Sequence, residues 1–206
     1  MMAKGSVNHN TGAFTAKNVD KERSRENVEF CHSDIKEAYH NLFDKALERY
    51  NAKQKRSDRK IDDYYEKIRR GKQEKLFYEV IFQIGNKDDM NVQSNEGQLA
   101  KEILCEFMEQ SQKRNPNLYV FSSHLHMDEQ TPHIHIDFVL FIRNSKRGFD
   151  TRVSLKGALS EQGFKGGTRE MTEWNEWIEA EKQELSRVMG RHGVQWKQLG
   201  THNKHL

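Results

Sequence analysis

Residues 133–142, HIHIDFVLFI, carry an apolar residue at every second position without a break, and that period narrows the fold more than any other feature of the chain. Ile134, Ile136, Phe138, Leu140 and Ile142 fall on one side of a strand, and His133, His135 and Asp137 on the other, the period of a half-buried strand. Residues 118–126, LYVFSSHLH, read as the strand before it, with Met127 to Pro132 closing a hairpin. In such a hairpin His126 faces His133 and His135, so three imidazoles converge over one spot. Burying them together without a cation would leave lone pairs unsatisfied or set like charges side by side. A single histidine on a strand is more often a packed or surface residue. The pair at i and i+2, met by a third from the opposite arm with a Glu beside it, is what argues for a metal site.

Three neutral imidazoles favour Mn²⁺, Zn²⁺, Fe²⁺ or Co²⁺ over Ca²⁺. Three protein ligands also leave coordination positions open, as catalytic rather than structural sites do. A phosphodiester oxygen could take one of them, and the cation would then make phosphorus a better electrophile. Glu129 lies in the turn, three residues after His126, where its carboxylate could serve as general acid/base or as a fourth ligand. Asp137, by strand parity, suits a role orienting an imidazole N–H. Asp128 reads equally as such a partner and as an exposed turn residue.

The rest of the chain supplies helices around that hairpin. From Asp34, a candidate cap, Ile35, Ala38, Tyr39, Leu42, Phe43, Ala46, Leu47 and Tyr50 repeat at helical spacing. Residues 55–70 carry only Ile61, Tyr64, Tyr65 and Ile68 as an apolar stripe, which predicts a mostly exposed helix reaching away from the core and ending at Gly71. Residues 76–85 read as a strand, 98–113 as an amphipathic helix, and 172–189 as a helix whose Trp174 and Trp177 are core residues. Asn18 to Arg23 reads as a turn into the first helical region. Gly148–Val153 suits a short strand or loop, Gly157–Thr168 a helix and loop, and Val194 with Trp196 a last edge strand. The expected class is α+β, a central antiparallel sheet flanked by helices. Residues 1–206 form one domain in this reading, with 51–75 a protruding basic helical excursion.

The net charge of +3 is small, but basic residues cluster. Lys60, Arg69 and Arg70 belong to one basic run, over 53–75, and Arg147, Arg152 and Lys165 to another, over 143–169. Such local excess suits a phosphate backbone, although a charged run is more often a solvated helix face. Cys31 and Cys105 have neither framework nor metal-ligand spacing, and no long apolar span or cleavable leader is evident. A reduced, cytoplasmic protein is expected.

His126-Met-Asp-Glu-Gln-Thr-Pro-His-Ile-His135 resembles the signature His-x-Asp-Glu-x-x-Pro-His-x-His of the MobV (Pre/Mob) relaxases, plasmid mobilisation and recombination enzymes, at every fixed position. His9-Asn10 and the stretch Asn18 to Asn27 are similar to that family's amino-terminal motifs. The resemblance implies the relaxase and replication-initiator fold and a metal-dependent nickase acting on an origin of transfer. Mn²⁺ is the expected ion, with Mg²⁺ an acceptable stand-in. It implies His9 as the nucleophile, forming a labile phosphoramidate with the cut DNA, and a DNA contact at Asn10. Tyr64-Tyr65 is the rival nucleophile pair, though its place on a helical stripe favours packing. The family commonly has an arginine three residues after the nucleophile; Gly12 stands there, and Arg23 or Arg25 could substitute. Family members usually continue into a dimerisation or membrane-associated region, so a homodimer through a region beyond residue 206 is a further expectation. The competing functions are a rolling-circle replication initiator, a metal-dependent hydrolase of small phosphate esters or amides, and an origin-binding module that does not cut.

Overall fold

The hairpin forms as the alternation requires. In the computed structural model, which describes residues 19–146 and 148–196, β3 (Leu118–His126) and β4 (His133–Ile142) pair antiparallel, with His126 opposite His133 and His124 opposite His135. β2 (Tyr78–Gln83) joins β4 on its other edge, placing Ile81 opposite His135 and Glu79 opposite Asp137. β1 (Val28–His32) joins β3, so the order is β1-β3-β4-β2, and β5 (Arg152–Val153) pairs with the end of β4. The class is α+β, as expected.

β4 is buried along its whole length, not on one face only. Ile134, Ile136, Phe138, Leu140 and Ile142 join β2 side chains Tyr78, Val80 and Phe82 in one core. α3 (Asn95–Glu109), α5 (Leu155–Glu161) and α6 (Glu173–Arg191) cover it, contributing Phe107, Leu159 and Trp177 among others. The opposite face is divided. Val139 and Phe141, with Phe121, lie in a second core under Ala38, Tyr39, Phe43 and Ala46 of α1 (Ile35–Ala52). The other half of that face carries His133, His135 and Asp137. A register shift between Val120 and Ser122 on β3 divides the two halves on that strand, as bulges commonly re-aim side chains.

Caps fix the helix starts. Asp34 accepts from Lys36 N–H at α1, Ser94 from Gly97 N–H at α3, and Thr172 from Asn175 N–H at α6. Gly97 is obligatory, since a Cβ there would overlap the Asn91 carbonyl oxygen and the Val92 backbone. α3 therefore begins before residue 98, its predicted start. A short helix, α4 (Ser111–Arg114), precedes a buried polar knot. There Arg114 Nη2 donates to Glu181 Oε2 at 2.9 Å, Asn115 Nδ2 to Glu181 Oε1 at 3.1 Å, and Trp177 Nε1 to Asn115 Oδ1 at 2.7 Å.

Three expectations need correction. The basic stretch 55–70 is not one protruding helix but a 3₁₀ turn at Ser57–Arg59 followed by α2 (Tyr64–Arg70). The Asn51 side chain bonds both the N–H and the carbonyl of Ile61, folding the chain back onto α1, and buried Tyr64 packs on Phe43 and Phe149. Residues 28–32 form a strand where only a turn into helix was expected. Val194 packs against the core without forming a strand, and Trp196 is exposed.

Candidate metal centre and its surroundings

β3 and β4 bring the three predicted ligands together. Ring centroids of His126, His133 and His135 stand 5.2–5.3 Å apart in a near-equilateral triangle. All three residues are buried, at 6–8% exposure. Desolvation lowers the His126 pKa to about 4, and the two neighbouring rings reinforce it. Desolvation likewise lowers that of His133. Both rings are therefore neutral near pH 7, the form that ligates metals.

Each ring is held through Nδ1 by an oxygen acceptor. His133 Nδ1 donates to the Thr131 carbonyl at 2.9 Å, His135 Nδ1 to Glu79 Oε1 at 2.7 Å, and His126 Nδ1 to Asp128 Oδ1 at 3.3 Å. A carbonyl can only accept, so His133 carries its proton on Nδ1 and its basic nitrogen is Nε2. The two carboxylates impose the same tautomer on the other rings, which is the outer arrangement expected of metal-ligating histidines. With a metal–nitrogen bond of about 2.1 Å and the ring centre about 1.1 Å behind the nitrogen, three ligands at octahedral to tetrahedral angles have centroids about 4.5–5.3 Å apart. The triangle meets the wide end of that range. Among the described residues no group of three or more His, Cys, Asp or Glu side chains is arranged to hold a metal ion as it stands. The donor set and the tautomers nonetheless suit a divalent cation.

Glu79 is the orienting acid for His135, and the sequence expectation, which named Asp137 and Asp128, did not include it. Its signal was available: Glu79 is the acidic member of the outward-facing set of a predicted strand. Asp137 is fully buried opposite it. Asp128 is no exposed turn residue: it is buried, and takes hydrogen bonds from Ser24 Oγ at 2.8 Å and Asn27 Nδ2 at 2.7 Å. Burial alone would raise its pKa, but those donors and His126 hold it below the ordinary carboxylate value. Glu129 is half-buried in the turn, where its charge acts on His133. Next to the trio, His124 packs beside His32 at 5.7 Å, with Glu29 3.8 Å from its Nδ1. On the β2 side, Ile81 is 47% exposed.

The remaining site expectations divide. His9, Asn10, Gly12 and Arg147 lie outside the described residues. Arg25, Lys60 and Lys165 are exposed. Arg23 instead turns inward, donating to the Val92 carbonyl at 3.2 Å and pairing with Glu26. Arg152 donates to Ser145 Oγ. Arg69 and Arg70 both pair with Glu66, which lowers the local positive charge without removing it. Tyr64 is buried and donates no proton to the trio; its hydroxyl accepts from Val153 N–H.

A family model described as plasmid recombination enzyme (Mob_Pre) matches residues 2–203. The chain belongs to that family. As a member it is a plasmid recombination enzyme, and its fold is that of the MobV relaxase domain. A crystal structure of the MobM relaxase domain (MOBV; Mob_Pre), Mn-bound at pH 5.5 and holding 22 nucleotides of plasmid pMV158 oriT DNA, is similar over 97% of this chain and 85% of that one. The identity is 20% and the TM-score 0.50. A second, Mn-bound at pH 6.8 with a 3′-thiophosphate on the DNA, covers 100% of this chain and 92% of that one, also at 20% and 0.50. At such identity the likeness establishes the fold alone. No curated protein matches.

Proposed function

We propose that this plasmid recombination enzyme is a metal-dependent relaxase. It nicks one DNA strand at an origin of transfer and later rejoins it, with residues 1–206 acting as one nicking domain in the cytoplasm. The observation that carries this reading is the buried histidine triangle, each ring turned by an acceptor on Nδ1 so that Nε2 is its basic nitrogen. The related MobM domains hold manganese and oriT DNA. Manganese, or magnesium in its place, held by His126, His133 and His135 would polarise the scissile phosphate and offset its charge.

The chain's own residues divide the remaining work. His9 attacks phosphorus through an unprotonated ring nitrogen; a P–N bond forms and the P–O3′ bond breaks. The proton lost from the other ring nitrogen balances the one gained by the 3′-oxygen, and we assign its transfer to Glu129 as general acid/base. Reversal by the free 3′-hydroxyl reseals the strand without ATP. Exposed Arg25, Lys60 and Lys165 supply phosphate contacts along the single strand, with Asn10 and Arg147 as further candidates. No described helix is long and apolar enough to cross a membrane.

The test is incubation of supercoiled plasmid carrying the cognate origin with protein and Mn²⁺. Open circles bearing covalently attached protein are expected, and their loss in His9→Ala. Undiminished adduct in His9→Ala would remove that histidine from the mechanism. Nicking that leaves the DNA end free of protein would point to a hydrolytic nuclease.

A further inference from the structure

The turn that carries His126 is sewn to the stretch just before β1. Asp20 N–H donates to the Asp128 carbonyl at 2.8 Å, and Met127 N–H donates to Asn27 Oδ1 at 2.6 Å. Asn27 Nδ2 and Ser24 Oγ both donate to Asp128 Oδ2, while the other carboxylate oxygen, Oδ1, takes the His126 ring. The amide of Asn27 is unambiguous. A backbone N–H requires an acceptor and a carboxylate requires a donor, so Oδ1 and Nδ2 cannot be exchanged. Asn27 is therefore the residue that meets both the backbone and the side chain of this turn.

A carboxylate with one oxygen fixed by two donors has little freedom to rotate. Its second oxygen is then presented to His126 in one direction, which sets both the ring plane and its tautomer. We propose that Asn27 is a positioning residue for the metal centre: by holding Asp128 it fixes His126, and so sets how tightly the histidine trio binds a divalent cation. This rests on reading the trio as a metal site.

Calorimetric titration of the full chain with Mn²⁺ tests both, beside the electron paramagnetic resonance signal of the bound ion. Asn27→Asp keeps the acceptor for Met127 N–H but loses the donor to Asp128, and should weaken Mn²⁺ binding about 10–100-fold. The double variant Asn27→Asp/Asp128→Asn exchanges donor and acceptor and should recover most of that loss, which a merely destabilised fold would not. Should Asn27→Asp not fold, Ser24→Ala decides: it removes a donor to the same oxygen and should weaken binding several-fold. His133→Ala separates the two ideas. If it abolishes Mn²⁺ binding while Asn27→Asp and Ser24→Ala bind as tightly as the native chain, the role of Asn27 is overturned. If His133→Ala itself binds Mn²⁺ normally, the metal site is overturned.

Discussion

The neutral histidines make the metal-free protein acid-sensitive in a defined window. An unfolded histidine protonates near pH 6.5, whereas desolvation and two neighbouring rings hold folded His126 near 4. The folded-state pKa is depressed, so stability is intact above pH 6.5. It is lost as pH falls towards 4, because there the unfolded chain binds a proton that the folded chain refuses. Each pH unit in that window costs up to about 1.4 kcal/mol per group, so His126 alone accounts for roughly 3 kcal/mol. His133 and His124 are shifted the same way, in each case with burial as the largest cause, and steepen the loss. Asp128, also depressed, adds its share only below the ordinary carboxylate range. Urea denaturation with EDTA at half-unit steps from pH 7.5 to 4.5 measures this directly. The native chain should lose stability from about pH 6.5 downward, and His126→Gln should lose it less steeply by close to one proton. Equal slopes for the two proteins would refute the assignment of a neutral, desolvated His126.

Other outcomes follow from particular contacts. Glu181→Ala leaves Arg114 half-buried beside Phe107 without its carboxylate, and should cost about 3–5 kcal/mol in a denaturant melt; a loss under 1 kcal/mol would remove the knot as a stabilising element. Gly97→Ala drives a methyl group into the Asn91 carbonyl and should lower the melting temperature sharply, whereas Gly190→Ala, with open space around it, should not. Gly12→Arg should raise single-turnover nicking, since one donor on the reacting phosphate is worth on the order of 10²–10³ in rate; an unchanged rate would show that another cation already serves. Replacing Lys60 and Lys165 by Gln should weaken oligonucleotide binding and reduce its salt dependence by about 0.7 per contact removed.

What could be read in the sequence was whatever repeats with a clear period. The apolar repeat at 133–142 and the helical spacing from Ile35 survive folding because each sets a continuous apolar face into a core. β1 was invisible because five residues with an irregularity between Glu29 and Cys31 carry too little pattern. Val139 and Phe141 share the histidine face of β4 yet belong to the second core, and only the packing of α1 shows why a strand with histidines at one end is apolar on the same face at the other. The basic run over 53–75 misled in a different way. Charge composition suggested an exposed rod, while four aromatic or aliphatic side chains were enough to pin the stretch against α1 once Asn51 had bonded Ile61. Glu79 and Asn27 touch the trio, or its support, from positions 56 and 100 residues away in sequence. Pairings of that kind come from strand register and loop docking, not from local spacing.

The ring-orienting groups are Glu79 on β2 and two groups of the hairpin turn, the Thr131 carbonyl and the Asp128 carboxylate, the latter itself held by the stretch before β1. Of these, the Thr131 carbonyl is the one whose placement needs nothing from outside the hairpin. An isolated β3–β4 hairpin would carry all three ligands and the tautomer of His133, yet lack the acid on His135 and the clamp on Asp128. Ligand histidines without such partners lose on the order of 10–100-fold in affinity for each, and a lone two-stranded hairpin is itself marginal in water. The site is therefore a property of the whole sheet. Mn²⁺ affinity should disappear together with global unfolding as denaturant is added. Binding that outlasted the loss of the α3–α6 core would mean that the hairpin alone orients its ligands.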